Sequence, residues 1–413
     1  MTAEAQGSAA VGQVPPSTRA IDLVRLCATI VAEKLRQPRA FSPDTALRKW
    51  ARQTAIRVAS ENLILNLGVK KLLLVGSREL SRAILAEAPA AARLSAGYLK
   101  RSAVGFLATR ALTISDDEDW RRRRAFNEAV LEPARTHEFA RQFNRCTLEA
   151  FATPVSSVEE LRAAMGRTML GVVFGGKAPA ELVDEIEKLF ALVHNPLKRV
   201  LTARCARRLR ERFYRTLRAR WDEEDAAGAP SLLHMAYRRA AALDGAELIE
   251  QIPHWMFTFT GSATDLLVRT LALVSSSPAI RARVLAEVQA AGPLDGGCDF
   301  ARMPLVEACC VEAAHLYPPV TRTFHHAAQE MTLAGVRIPA DTQIMHLFPL
   351  FTDSDEPHAF NPDRWMRAEA PGSSFDPFLG GARRCPGKTL ILLVCKAALA
   401  SLLVRQQISV DSS

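Results

Sequence analysis

Aromatic residues are scarce in this chain. Trp, Tyr and Phe together make up 7% of its 413 positions, and only four are tyrosines. With no aromatic interleaving among its basic residues, the net charge of +9 is a poor match to nucleic-acid binding. The excess is mostly arginine spread along amphipathic helices. It reads as a solvated face first and as a basic docking surface for an acidic partner second. None of the eight cysteines forms a Cys-x-x-Cys pair, and the adjacent Cys309 and Cys310 are ill placed to share one zinc. A disulfide framework is thereby excluded, and the pattern is that of a reduced, intracellular protein. There is no uninterrupted apolar run of membrane-spanning length. Residues 21–35 have helical apolar spacing, but Asp22, Arg25, Glu33 and Lys34 break it, so it reads as a packed surface helix. No internal repeat or low-complexity linker divides the chain. Residues 1–18, small, polar and proline-bearing, read as a disordered tail without a secretory leader, and residues 19–413 as one domain.

What the chain does contain is helix-forming sequence with a small allowance for strand. Residues 63–75 read as a strand, a turn around Gly68 and a second strand. Ser77 is placed to cap a helix carrying Leu80, Ile84 and Leu85. Residues 92–114 are mixed and glycine-bearing, so an irregular loop is expected. Asp116 to Asp119 put negative charge at the start of a helix whose interior holds Arg121 to Arg124. Leu201, Cys205, Leu209, Phe213 and Leu217 recur every four residues along an arginine-rich helix. Residues 222–230 form a polar turn, after which Ser231 caps a helix, and Ser277-Pro278 opens another. Residues 246–275 are a long apolar stretch interrupted by Thr260-Gly261-Ser262-Ala263-Thr264-Asp265. Residues 292–297 read as a loop. The pattern turns to short strands over 331–350, with a turn at Pro339-Ala340-Asp341.

One stretch organises the rest: Phe378-Leu379-Gly380-Gly381-Ala382-Arg383-Arg384-Cys385-Pro386-Gly387. A cysteine sits where a glycine-bearing loop meets an apolar helix, with Pro386 suited to the first helical position. A helix N-terminus stabilises a thiolate. Gly380 and Gly381 let backbone approach a flat, bulky group. Arg383 can meet a carboxylate, and Phe378 can shield the sulfur. A thiolate that ligates haem iron has these needs.

This run reads Phe-x-x-Gly-x-Arg-x-Cys-x-Gly without mismatch and resembles the haem-binding loop of the cytochrome P450 family. The resemblance, extending over roughly residues 60–405, implies a mostly α fold of the soluble bacterial type. Its parts are a large helical domain, a small β-rich region, and haem b between the distal helix and the helix after the cysteine loop. Cys385 would be the iron ligand. Phe378 and Gly387 would complete its loop, and Trp120, Arg124, His325 and Arg383 would hold the propionates. The 260–265 run resembles the family's distal helix, whose glycine and threonine are matched by Gly261 and Thr264. Thr264 would steer protons toward dioxygen, with Asp265 the nearest carboxylate. Ala263, however, occupies the family's acidic position, and Asp265 comes one residue past Thr264, about 100° around a helix from it.

Glu312-Ala313-Ala314-His315 resembles the family's Glu-x-x-Arg pair, with Arg364 as the later arginine. His315 replaces the usual arginine, so Glu312–Arg364 is expected to carry the lock. Phe257, Phe259, Leu266, Val320, Phe324 and the 95–112 segment would line an apolar pocket. The family also implies a hairpin beyond the last helix, for which this chain has few residues before position 413.

The function implied is a cytoplasmic haem-thiolate monooxygenase of secondary metabolism. It would insert one oxygen atom from dioxygen into an apolar organic substrate. Electrons would come from a ferredoxin or flavodoxin-like donor docking near Arg383, Arg384 and Lys388. The altered positions keep open a peroxide-using or atypical enzyme (coupling, isomerisation), and a haem-binding protein without catalysis.

Overall fold

The computed structural model describes residues 13–17, 60–66, 70–132, 134–176, 178–224, 228–239, 243–294, 298–348, 360–366 and 376–406, with isolated positions from 25 to 54. Residues 1–12, most of the expected 21–35 helix, Gly68 and everything past 406 lie outside them. So do residues 225–227 of the expected 222–230 turn, 295–297 of the 292–297 loop, and 349–350 at the end of the strand region. No helix among the described residues is long and apolar enough to cross a membrane. Where one domain is expected, the residues group into two compact units, each made of discontinuous segments.

The first unit comprises residues 1–100, 321–352 and 379–383. Its sheet has five strands: β1 (Leu63–Asn66), β2 (Lys71–Val75), β3 (Leu94–Ser95), β4 (Arg322–Ala327) and, after a separate hairpin β5 (Met331–Leu333)–β6 (Val336–Ile338), β7 (Thr342–Leu347). The order is β1-β2-β7-β4-β3. β2 and β7 run parallel, and the other neighbours are antiparallel. Leucines of β1 and β2, with Met345, bury against Trp50. Helix α1 (Arg78–Ala86) follows β2 and is capped as expected, with Ser77 Oγ accepting from the Leu80 amide at 3.2 Å.

The N-terminal reading needs correction. Gln13 and Ser17 pair with Val336 and Ile64, so part of the expected disordered tail is extended backbone. The cause is the edge: β1 and the β5–β6 hairpin offer unpaired backbone groups, and the Val14-Pro15-Pro16 segment covers them. The 92–114 segment is also more regular than expected. It holds β3, helix α2 (Gly97–Val104) and a 3₁₀ turn at Leu112–Ile114. Gly97, expected in a loop, is instead the left-handed step (φ 73°) from which α2 starts.

The second unit comprises residues 101–320, 353–378 and 384–413, and is helical. Its helices are α3 (Asp117–Leu131), α4 (Ala140–Ala150), α5 (Val158–Phe174), α6 (Glu181–His194), α7 (Pro196–Leu201), α8 (Ala203–Glu224), α9 (Leu232–Arg238), α10 (Gly245–Ile249), α11 (Ile252–Thr258), α12 (Thr264–Ser275), α13 (Pro278–Ala290), α14 (Pro304–Leu316) and α15 (Lys388–Arg405). α5, α12, α14 and α15 carry the core, and α15 is buried over nearly its whole length. Ser231 caps α9 and Pro278 opens α13, as the sequence indicates. The four-residue stripe on α8 holds only from Leu209 onward, with Leu209 packed on the core and Phe213 and Leu217 buried. Leu201 belongs to α7 and is exposed, Cys205 is exposed, and burial falls on Ala206, Phe213, Tyr214 and Leu217. A four-residue spacing drifts about 40° per step around a helix, so five such positions cannot share one face.

Gly381 fixes the first unit's share of the cysteine loop. Its φ is 61°, and a Cβ there would lie 2.7 Å from Ala86 Cα on α1. Gly380 faces open space. Gly381→Ala should therefore destabilise the protein by about 1–3 kcal/mol, while Gly380→Ala should stay within about 0.5 kcal/mol, both read as shifts in the urea unfolding midpoint.

Candidate active site

Around the cysteine, backbone geometry is set by a single bond. Cys385 N–H donates to Phe378 O at 2.7 Å. The residues between turn back through left-handed steps at Leu379 (φ 64°) and Gly381. Pro386 is not the first helical residue. Gly387 O accepts the first helical bond, from Ile391, so Gly387 caps α15 and the helix starts at Lys388. The thiol is half-buried. Desolvation pushes its pKa up. The Gly387 amide and the charges of Arg124 and Lys388 pull it the other way. Phe378 stands beside this loop with Lys388 Nζ 5.3 Å from its ring centroid.

Arg124, buried on α3, is held by two acceptors. It pairs with Glu128 at 2.7 Å, and its Nη1 donates to Arg384 O at 2.6 Å, one residue before the cysteine. Its geometry therefore braces the loop. Trp120 lies one turn earlier on α3 and is half-buried.

On the distal side the helix is opened. Between α11 and α12 the backbone widens into a π turn over Phe259–Ala263. Thr264 is fully buried, and its Oγ1 donates to Phe259 O, five residues back, at 2.7 Å. Gly261 lies in the widened turn under the stacked rings of Phe190 and Phe257, whose centroids are 4.1 Å apart. Asp265 is corrected as a catalytic residue. It turns outward to Arg162 (3.1 Å) and Arg269 (3.9 Å), as its place one residue past Thr264 dictates.

Glu312 is wholly buried and triply satisfied. It accepts from Trp365 Nε1 at 2.6 Å and from the Asn361 amide at 3.0 Å, and Arg364 Nε lies 3.2 Å away. The Glu312–Arg364 pair is present, but it shares the carboxylate with the Asn361 amide and with Trp365, a donor that sequence reasoning missed. A buried indole N–H requires an acceptor, and that was the available signal. His315 is buried edge-on against Trp365, with centroids 5.5 Å apart.

In the first unit, His325 on β4 is 2% exposed, and its Nδ1 has no hydrogen-bond partner among the described residues. Burial first, then the positive charge of Arg383, holds its pKa well below the ordinary histidine value. Arg383 Nη2 lies 3.5 Å from Leu94 O. A buried, unpartnered imidazole beside a guanidinium is the donor set that a carboxylate requires, so these residues fit a haem propionate. His326, on the other face of the strand, goes to Asp341 at 2.9 Å.

The residues expected to line the pocket stand in different surroundings. Phe257 is half-buried in its stack with Phe190. Phe259 is 1% exposed inside the second unit's core and cannot line a cavity. Phe324, pointing away from His325 by strand alternation, packs on the Trp50–Met345 cluster of the first unit. Val320 is 51% exposed.

A family profile described as Cytochrome P450 matches residues 243–413. Among curated proteins, similarity extends to cytochrome P450 78A11 of Oryza sativa subsp. japonica, 28% identical over 84% of this chain and 73% of that one. Pentalenene oxygenase of Streptomyces avermitilis is 25% identical over 71% and 72%. For cytochrome P450 734A5 of Oryza sativa subsp. japonica, 28% identical over 40% of this chain, and for cytochrome P450 72A397 of Kalopanax septemlobus, 35% identical over 36%, the match spans about a third of the relative, 33% and 31%. Among solved structures, a six-coordinated cytochrome P450 from Thermus thermophilus superposes with a TM-score of 0.70 at 19% identity, covering 88% of this chain and 90% of that one. A retinoic acid-bound cyanobacterial protein, CYP120A1, gives 0.68 at 17% identity, covering 86% and 87%. These structural likenesses establish the fold.

Removing the Glu312 carboxylate leaves Trp365, the Asn361 amide and Arg364 without their acceptor in a closed core. Glu312→Ala is expected to cost about 3–5 kcal/mol, measured by chemical denaturation. His315→Gln is expected to cost less than half as much, since the three donors keep their acceptor.

Proposed function

This chain belongs to the cytochrome P450 family, whose cofactor is haem, and from that premise we propose that it is a monooxygenase acting on an apolar organic molecule. The observation that carries the reading is Cys385, held by its bond to Phe378 O in a loop where the Gly387 amide, Arg124 and Lys388 oppose the rise in pKa that burial causes. When bound, haem supplies activation of dioxygen for insertion of one oxygen atom into a C–H bond. The protein's residues would do the rest. Cys385 would ligate the iron, while Phe378 keeps water from the sulfur. Arg124, through the Arg384 carbonyl, holds the loop in shape. Arg383 and His325 would receive the propionates. Trp120 belongs to the same set by resemblance.

Thr264 would be the proton donor. Its hydroxyl rests on the Phe259 carbonyl, which the π turn frees from the ordinary helical ladder. Such a hydroxyl can hold a proton and pass it on without breaking the helix. Phe257 and Val320 would meet the substrate. One relative is named a pentalenene oxygenase and one structural neighbour holds retinoic acid, and both names fit a hydrocarbon-rich molecule and a place in secondary metabolism. A cytoplasmic ferredoxin or flavodoxin-like donor would dock by charge at exposed Arg384 and at Lys388.

A second reading has its own observation. Ala263 stands where the family has an acid, and Asp265 is committed to Arg162. Proton supply to Thr264 from a neighbouring carboxylate is thus weakened, which favours use of peroxide or an atypical haem-thiolate reaction.

The reading is tested by the absorption spectrum of the reduced, carbon-monoxide-bound protein. The thiolate-type Soret band should appear in the native protein and vanish in Cys385→Ala. Its absence from the native protein would end the proposal. Thr264→Ala should then lower product formed per NAD(P)H consumed by about tenfold or more. Unchanged coupling, with full turnover on hydrogen peroxide, would move the assignment to the second reading.

A further inference from the structure

One peptide plane in the cysteine loop is held at both of its ends. The Arg384 carbonyl and the Cys385 N–H belong to the same planar unit. The carbonyl accepts from Arg124 Nη1 at 2.6 Å, and the N–H donates to Phe378 O at 2.7 Å. Both lengths fall at the short end for N–H···O bonds. A charged donor on the oxygen draws electrons through the amide and makes its N–H a stronger donor, so each bond strengthens the other. The far end of this chain is anchored as well, since the Phe378 amide donates to Asp376 Oδ1 at 2.8 Å. Fixing the plane fixes the point from which the Cys385 side chain departs.

Arg124 is kept on that carbonyl by Glu128. Nε and Nη2 of Arg124 lie 2.9 and 2.7 Å from one oxygen, Oε1 of Glu128. The two residues are one turn apart on α3, the spacing at which helical side chains meet. On an open surface such a pair contributes little. Here the Arg124 side chain is only 10% exposed, so its charge needs an anion close by. Without the carboxylate, the guanidinium would be a stranded cation in a nearly closed site, and it would turn toward water and leave the Arg384 carbonyl. The second cation near Glu128 matters less. Arg384 Nη2 lies 3.6 Å from the same oxygen, but its side chain is 62% exposed and screened by solvent.

We propose that Glu128 is a positioning residue for the cysteine ligand, acting through Arg124 and the Arg384–Cys385 peptide. The inference rests on the haem reading, in which Cys385 meets the iron, and it gives a role to a residue that no part of the loop motif contains. Glu128 does two things. Its shape orients the guanidinium, and its charge offsets that of Arg124 beside the sulfur. The two are separable, because a glutamine keeps an acceptor oxygen and loses the charge. With that charge gone, the positive field of Arg124 acts uncompensated and favours the reduced, more negative state of the iron site.

The experiment compares the haem-loaded native protein with Glu128→Ala and Glu128→Gln, by the reduced, carbon-monoxide-bound spectrum and by redox potentiometry at one pH. In Glu128→Ala the thiolate-type Soret band should give way to the thiol-type band about tenfold faster than in the native protein, the loss expected for one charge-assisted hydrogen bond. Glu128→Gln should keep most of the native lifetime of that band and show a higher midpoint potential. A general loss of stability would not separate the two readouts in this way. If Glu128→Ala fails to fold or to load haem, Glu128→Gln decides by its potential. A native band lifetime in folded Glu128→Ala, or a native potential in Glu128→Gln, would overturn the role of Glu128 and leave the family reading intact. A native protein without the thiolate-type band would overturn both.

Discussion

A buried charge must be matched donor for donor, and in the helical unit that rule is concentrated on Glu312. Its carboxylate has no access to water, so it depends on the indole of Trp365, the amide of Asn361 and the guanidinium of Arg364. Those donors come from a short segment with little regular structure of its own, Pro362–Trp365 being a single 3₁₀ turn. The carboxylate holds that segment against α14 where apolar packing alone would let it slide, because hydrogen bonds have direction and hydrophobic contacts do not. The change from the family's arginine to His315 is tolerated for this reason. The lock is closed by donors from the partner segment, and the ring at position 315 packs on Trp365.

Polar contacts near the cysteine follow a similar logic with weaker members. The loop is shaped by one backbone bond, two left-handed residues and Arg124, whose hydrogen bond falls on a carbonyl of the loop. None of these groups touches another molecule in order to work. They fix where the sulfur stands and which charges it feels, and chemistry at the sulfur is a consequence of that placement. On the distal side the widened turn does the equivalent work for Thr264, giving its hydroxyl a carbonyl five residues back.

The cysteine loop, the Thr264 helix and the Glu312 node are legible in the sequence because each is a local run with fixed spacing, and spacing is what a sequence records. The β2–β7 parallel pairing is not, since it joins residues about 270 positions apart through no local signal. The Ser81–His346 contact escapes for the same reason. Sequence and structure part where a one-dimensional rule is stretched. A four-residue repeat on α8 suggests one face but winds away from it. Phe259 and Phe324 stand next to pocket candidates in sequence, yet adjacent side chains point in different directions. Gly97 suggests a loop, although a single left-handed residue is enough to begin a helix.

The widened turn at Phe259–Ala263 also governs how this helix can change. It inserts one residue beyond the four-residue ladder, so everything from Thr264 onward is rotated by about 100° relative to a straight continuation of α11. Deleting a single residue there would restore the ladder and swing the whole of α12 around its axis. The aspartate now anchored to Arg162 would leave the surface, and a leucine would take its direction. A one-codon loss at this point would therefore act as a rewrite of a dozen side-chain positions at once, which makes the length of this turn, more than the identity of its residues, the quantity the chain has least freedom to vary.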